Sequence, residues 1–316
     1  LPDSLLAQAL QQRLDLSSLP AALPPKGMAH AHFRLPGGML ARVPRWSQID
    51  LDAAANLRHQ ATAFTRAAPS GHTPRLIGTL EPGPDLPMGA LLVEEISGRP
   101  PRLSEDYPAI AKALAAIHAL PSDPAPNPVI ATVQVIERQA AYFDKAGLHP
   151  ETLAHLNAEL DWVHTLPTSP APPITMVGTD THPGNFLIDA EGKAWFVDLE
   201  KATDGLPAID LAHATLYTST TWDPDVAAVL TPDETAGFYE TWSSAAPSAV
   251  VESTRPWFTP TRRLTWLRTL SWMARWKVKG STAHSAGVDP RTIAHVQARI
   301  EDFFDPATIA KVRATL

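Results

Sequence analysis

The pattern of this 316-residue chain changes once, at Ser97-Gly-Arg-Pro-Pro101, and that change constrains the fold more than any other feature. Ahead of it, short runs of strand character at 28–34, 39–43, 75–79 and 90–96 surround one helical pattern over 51–67. Leu35-Pro-Gly-Gly38 joins the first two runs and predicts a hairpin turn. Asp50 or Asp52 can start the helix, which puts Leu57, Ala61 and Phe64 on one face. A further helix is expected over 4–14, capped by Ser4. Behind the breakpoint helical periodicity dominates, at 107–119, 130–146, 150–166, 209–219, 231–243, 260–279 and 289–304, with one compact β-rich segment at 174–198. The expected fold is α+β: a small antiparallel-sheet lobe over 1–97, then a larger helical lobe over 98–316.

Composition narrows the chemistry. The chain has no cysteine, which excludes a disulfide framework, a zinc finger, an iron–sulfur site and a thiol nucleophile. No run approaches the roughly 18 apolar residues of a membrane span. The opening LPDSLLAQALQQRLDL lacks the basic start and apolar stretch of a secretory leader. A formal net charge of −7 argues against a general nucleic-acid binder. The expectation is a soluble cytoplasmic protein with neither a membrane nor a nucleic acid as partner.

The chemistry concentrates between Met176 and Glu200. An apolar entry (Ile174, Met176, Val177) leads into a polar loop holding Asp180, His182 and Asn185. A strand pair over 186–189 and 194–198, turned by Glu191-Gly192, ends in Asp198 and Glu200. Such a hairpin folds its far end back on the loop, so that Asp180, Asn185 and Asp198 can converge. Oxygen ligands of this kind suit Mg²⁺, which takes one or two carboxylates plus phosphate and water. A further carboxylate off the metal can orient a hydroxyl nucleophile.

Asp180-Thr-His-Pro-Gly-Asn185-Phe-Leu resembles the catalytic loop of the aminoglycoside phosphotransferase/choline kinase family, which has a two-lobed protein-kinase-like fold. Val197-Asp198-Leu-Glu200 is similar to that family's metal-binding strand end, and Ile209-Asp210-Leu-Ala212 to the aspartate-bearing helix start beyond it. The resemblance extends over residues 20–300. It implies a transferase that moves the γ-phosphate of ATP, with GTP as the alternative nucleotide, to a hydroxyl of a small-molecule alcohol. Asp180 would be the catalytic carboxylate, Asn185 and Asp198 the Mg²⁺ ligands, and Asp210 a structural brace. The run Ala90–Gly98 resembles the strand-to-hinge segment, whose backbone from Glu94 to Ile96 would bind adenine. Gly27, in Pro24-Pro-Lys-Gly-Met-Ala-His-Ala-His32, would sit in the phosphate loop.

Departures from the family accompany these matches. Gly178-Thr179 replaces the family's His-Gly before the aspartate. Arg42 stands where its phosphate-binding lysine belongs, and helix 51–67 has no glutamate, only Gln60 at the corresponding place. Arginine can grip phosphate through a bidentate fork, and a Gln60–Arg42 contact would be a hydrogen bond. Plainer readings stand beside each assignment: an Asx-rich turn for Asp180 and Asn185, a helix cap for Asp198, a surface arginine on an edge strand, an ordinary helix residue for Gln60. His182 reads as a loop-fixing side chain, and His30 and His32 as surface residues on a strand. His182, Asp198, Glu200 and His213 could alternatively form a hydrolytic metal site.

Two tracts bear on the acceptor. Residues 199–256 carry nine acids against Lys201 and Arg255, suiting a cationic amino sugar or amino alcohol. Trp257–Lys279 holds four tryptophans and six basic residues with no acid, suiting an anionic or π-rich compound, or else a core helix with a solvated basic face. On that helix Leu267, Leu270, Ala274 and Val278 form the stripe expected to pack inward. Two functional classes remain open: a phosphotransferase, and a kinase-fold protein that binds nucleotide or metabolite without transferring phosphate.

Overall fold

A computed structural model describes residues 1–24, 29–167, 171–283 and 290–316, the last four of the third segment by backbone alone. The first lobe begins with helix α1 (Asp3–Arg13) and the short strand β1 (Ala21–Ala22). Pro2 precedes α1 and no side chain caps it; Ser4, the expected cap, lies inside the first turn. Strands β2 (His30–Leu35) and β3 (Met39–Pro44) form the predicted hairpin, with Leu35 opposite Met39. Gly37 and Gly38 turn the chain at φ of 76° and 71°, a region that glycine occupies without steric cost. Helix α2 (Ala53–Ala67) follows, capped by Asp52, whose carboxylate accepts from the Ala55 N–H. β4 (Leu76–Leu80) and β5 (Ala90–Glu94) complete an antiparallel sheet of order β1-β2-β3-β5-β4.

Both faces of this sheet are covered. Phe33, Leu35, Ala41, Val43 and Leu92 pack on Leu6 and Leu10 of α1. The intervening residues of β2 and β3 point the opposite way, as strand alternation requires, toward α2 and the second lobe. Arg42 and His30 are accordingly buried and His32 half-buried, which corrects the surface placement expected for the two histidines. Gln60 is fully buried on the inner face of α2 beside Leu57, Ala63 and Phe64, so it is no ordinary helix residue.

The second lobe begins with α3 (Leu103–His118), α4 (Pro128–Ala140) and α5 (Pro150–Val163). The β-rich segment follows as β6 (Thr175–Val177), the hairpin β7 (Phe186–Ile188) and β8 (Ala194–Phe196), and β9 (Thr203–Gly205), which pairs with β6. Helices α6 (Pro207–Thr215), α7 (Tyr217–Thr220), α8 (Pro232–Ala245), α9 (Ser248–Thr254), α10 (Phe258–Ala283), α11 (Pro290–Phe303) and α12 (Pro306–Arg313) complete the lobe. Leu267, Leu270 and Ala274 of α10 are buried as expected, whereas Val278 is exposed where the helix runs past the core. One apolar cluster joins the lobes: Leu57, Phe64, Leu91 and Val93 from the first pack with Ile110, Leu114, Phe186 and Phe196 from the second. Burying side chains of that size stabilises by about 1.5–3 kcal/mol each, so this shared cluster holds the two lobes together. The molecule is a two-lobed kinase-like fold.

Candidate active site

The loop after β6 is held from below. The N–H groups of Gly178 and Thr179 donate to the Asp210 carboxylate at 2.7 and 2.8 Å, and the Thr181 hydroxyl donates to the Asp210 carbonyl at 2.8 Å. His118 of α3 lies 3.1 Å from Asp210 through Nε2, while its Nδ1 accepts from the Trp242 indole at 2.9 Å. That indole can only donate, so the imidazole proton sits on Nε2 and is directed at Asp210. Asp210 thus braces the loop, and an imidazole reaches the network from α3 rather than from position 178. No side chain fits at 178: a Cβ there would lie 2.7 Å from the Phe196 ring and 2.8 Å from Thr181. Thr179 takes a left-handed φ of 57°, which is costly for a β-branched residue. Its hydroxyl donates to the Lys201 carbonyl at 2.9 Å, and half-buried Arg268 donates to its carbonyl at 2.6 Å.

This anchoring presents Asp180. The Asn185 side-chain amide donates to the Asp180 carbonyl at 2.8 Å, which leaves its oxygen as the opposite end of the group. The Val197 N–H donates to the Asn185 carbonyl at 3.0 Å as the β7–β8 hairpin closes, bringing Asp198 beside the loop. His182 accepts from the Gly184 N–H at 3.2 Å, the loop-fixing bond expected of it. Lys201 lies 2.6 Å from Asp180 Oδ2, and His213 3.7 Å from Oδ1. Burial opposes ionisation of Asp180, but Lys201, His182 and His213 outweigh it and hold the carboxyl far below its ordinary range.

A second cluster forms where the lobes meet. Ligand atoms of His30, Asp198 and Glu200 lie within 4.8 Å of one another. Arg42 donates to Asp198 at 2.6 Å and to the Val197 carbonyl at 2.8 Å. It does not meet Gln60; that residue pairs with His30 at 3.3 Å instead. Gln48 donates to the Glu200 carboxyl, and His59 lies 3.1 Å from the Glu200 carbonyl. Burial pushes Glu200 up to about 8, with the nearby Asp198 charge acting in the same direction. Burial, reinforced by Arg42, lowers His30 to about 4 and leaves it neutral. A neutral imidazole, an ionised carboxylate and a carboxyl whose proton affinity burial raises make a donor set that a divalent cation can occupy.

The structure therefore brings Asp180, Asn185 and Asp198 together, as the hairpin argument expects. Asp198 and Glu200 join His30 rather than His182 and His213, which face Asp180, so the alternative hydrolytic set does not assemble. Glu94 ends β5 and accepts from the Arg75 side chain at 3.1 Å, with Ile96 half-buried in the segment beyond. Gly27 lies outside the described residues. Sequence reasoning missed Lys201 as a partner of Asp180 and Gln60 as a partner of His30.

Comparison with known proteins agrees with this architecture. The model of the phosphotransferase enzyme family matches residues 4–247. A choline/ethanolamine kinase family protein from Mesorhizobium loti is 16% identical, with 99% of each chain covered and a TM-score of 0.58. Choline kinase from Cryptosporidium parvum is 12% identical over 99% of this chain and 98% of its own, with a TM-score of 0.60. The ADP-bound aminoglycoside phosphotransferase APH(2'')-Ib is 12% identical over 97% and 99%, with a TM-score of 0.58. No curated protein matches by sequence. With over three quarters of its length inside the family model and the family's two lobes in its fold, this chain belongs to the phosphotransferase enzyme family.

Proposed function

We propose that this protein transfers the γ-phosphoryl group of ATP, or alternatively GTP, to a hydroxyl of a small-molecule alcohol. The observation that carries the reading is the placement of Asp180 beside the cluster of His30, Asp198 and Glu200, whose ligand atoms lie within 4.8 Å of one another. Asn185 and Asp198 would hold Mg²⁺, with Glu200 and His30 adjoining, and the ion would neutralise charge on the nucleotide phosphates. Asp180 orients the acceptor hydroxyl and takes its proton as the oxygen attacks. The backbone from Glu94 to Ile96 would receive the base. Residues 1–97 would thus serve the nucleotide, and 98–316 catalysis and the acceptor.

The named activities of the structural relatives and the acid-rich stretch 199–256 support an amino alcohol or amino sugar as acceptor. Among the described residues no helix is long and apolar enough to cross a membrane. Thermal shift with ATP or GTP, with and without Mg²⁺, tests binding, and a panel of amino sugars, choline-like alcohols, nucleosides and sugars tests transfer. Asp180→Ala should lower turnover by orders of magnitude with nucleotide affinity largely kept; unchanged turnover rejects the assignment.

One observation favours a second reading, a nucleotide- or metabolite-binding protein without transfer. Both reactive carboxylates already carry a cation, Arg42 on Asp198 and Lys201 on Asp180. Stabilisation by nucleotide with no phosphorylated product across the panel selects that reading.

A further inference from the structure

The cations of the cleft are unequally committed. Arg42 binds both Asp198 and the Val197 carbonyl from within the sheet, and Arg268 reaches the Thr179 carbonyl from beneath the loop. Lys201 sits at the mouth: its side chain is 24% exposed, and that of its partner Asp180 22%. Its ammonium donates to Asp180 Oδ2 at 2.6 Å, and the charges of Glu200 and Asp198 act on it as well. Its carbonyl accepts from the Thr179 hydroxyl, which ties the position of this cation to the loop carrying Asp180.

We propose that Lys201 is a catalytic residue, its ammonium leaving Asp180 to bind the γ-phosphoryl oxygens of the nucleoside triphosphate; this rests on the phosphotransferase reading. A compact ammonium on a flexible stem can exchange one anionic partner for another without moving the backbone. During transfer the acceptor oxygen bonds to Pγ while the bond from Pγ to the β–γ bridging oxygen breaks, and that oxygen departs on the nucleoside diphosphate. Charge on the three equatorial oxygens is what Lys201 stabilises. Its departure also frees Asp180 Oδ2 to accept the hydroxyl proton, so one displacement serves both ends of the reaction. A diphosphate has no γ-phosphoryl group, and with it Lys201 stays on Asp180.

Lys201 should therefore distinguish triphosphate from diphosphate. Calorimetric titration of the full chain with Mg²⁺ and either the non-hydrolysable analogue AMP-PNP or ADP reads this directly. Lys201→Met is expected to weaken AMP-PNP on the order of tenfold while changing ADP by less than about twofold. Lys201→Arg should keep most of the AMP-PNP affinity. If Lys201→Met fails to fold, Lys201→Gln, which keeps a donor for Asp180 without the charge, must show the same selective loss. Equal losses for both nucleotides, or none for either, overturn the assignment of Lys201 alone. A wild-type chain that binds neither nucleotide overturns the phosphotransferase reading and the role of Lys201 with it.

Discussion

Arg42 is only 4% exposed, and its guanidinium is the charge that compensates Asp198 where the two lobes meet. Arg42→Met would leave that half-buried carboxylate without its principal counterion, a change that costs up to about 3 kcal/mol, the low end for removing one partner of a buried pair. A divalent cation on Asp198 would restore much of this. Denaturant unfolding should therefore show a large loss for Arg42→Met in chelator and a smaller one in millimolar Mg²⁺ or Mn²⁺. Equal losses in both would remove Asp198 from the cation site. At this scale Asp180, Asn185 and Asp198 were legible in the sequence because loop, turn and strand end occur in order at close spacing. His30 and Gln60 were not, since alternation along a strand tells which residues share a face but not what covers it. Lys201 was silent for a different reason: one lysine after a motif has the same appearance whether it meets solvent or the carboxylate of Asp180.

The loop after β6 shows how an element can hold a residue against its own preference. Thr179 keeps its left-handed backbone through the Asp210 carboxylate, the Lys201 carbonyl and Arg268. Thr179→Ala loses the hydroxyl bond and keeps the unfavourable φ, whereas Thr179→Gly loses the same bond and relieves the φ. The glycine variant should accordingly be the more stable of the two by about 1 kcal/mol in denaturant unfolding. At a position with ordinary backbone the order reverses, because glycine gives the unfolded chain more freedom. Turn chemistry made the β2–β3 hairpin legible, and periodicity did the same for α2, α8 and α11. The break between α6 and α7 at Leu216 has no proline or glycine to mark it, so a single helix over 209–219 was the natural expectation. Helix α12 did carry a signal, Asp305 as a cap followed by Pro306, but its two turns are too short for periodicity to register.

Across the whole molecule the cleft concentrates buried groups whose proton affinity folding has altered, and stability should follow pH accordingly. Burial, first of all, lowers His30 to about 4 and His213 to about 3, and it lowers His32 and His182 as well. Unfolding returns each imidazole to about 6.5, so below that pH the unfolded chain binds protons that the folded chain refuses. Their contribution is complete above 6.5 and is lost as the pH falls toward 4 and 3. Glu200 acts in the opposite sense: the folded carboxyl keeps its proton up to about 8, the unfolded one only to about 4.5. Its contribution is complete below 4.5 and is lost as the pH rises through 8. Burial lowers His59 and His72 too, so the imidazoles outnumber the one carboxyl and give a steep acid limb, a shallow alkaline limb and a maximum near pH 7 for the metal-free protein. His213→Gln should reduce the acid slope by up to about 1.4 kcal/mol per pH unit, one proton's worth. Glu200→Gln should flatten the alkaline limb, and saturating Mg²⁺ should do the same in the wild type by drawing the proton from Glu200. Thermal midpoints between pH 5 and 8.5 would resolve both limbs. A metal-free midpoint that keeps rising through pH 8.5 means that Glu200 is already ionised beside Asp198, and the cluster then has no call on a second positive charge.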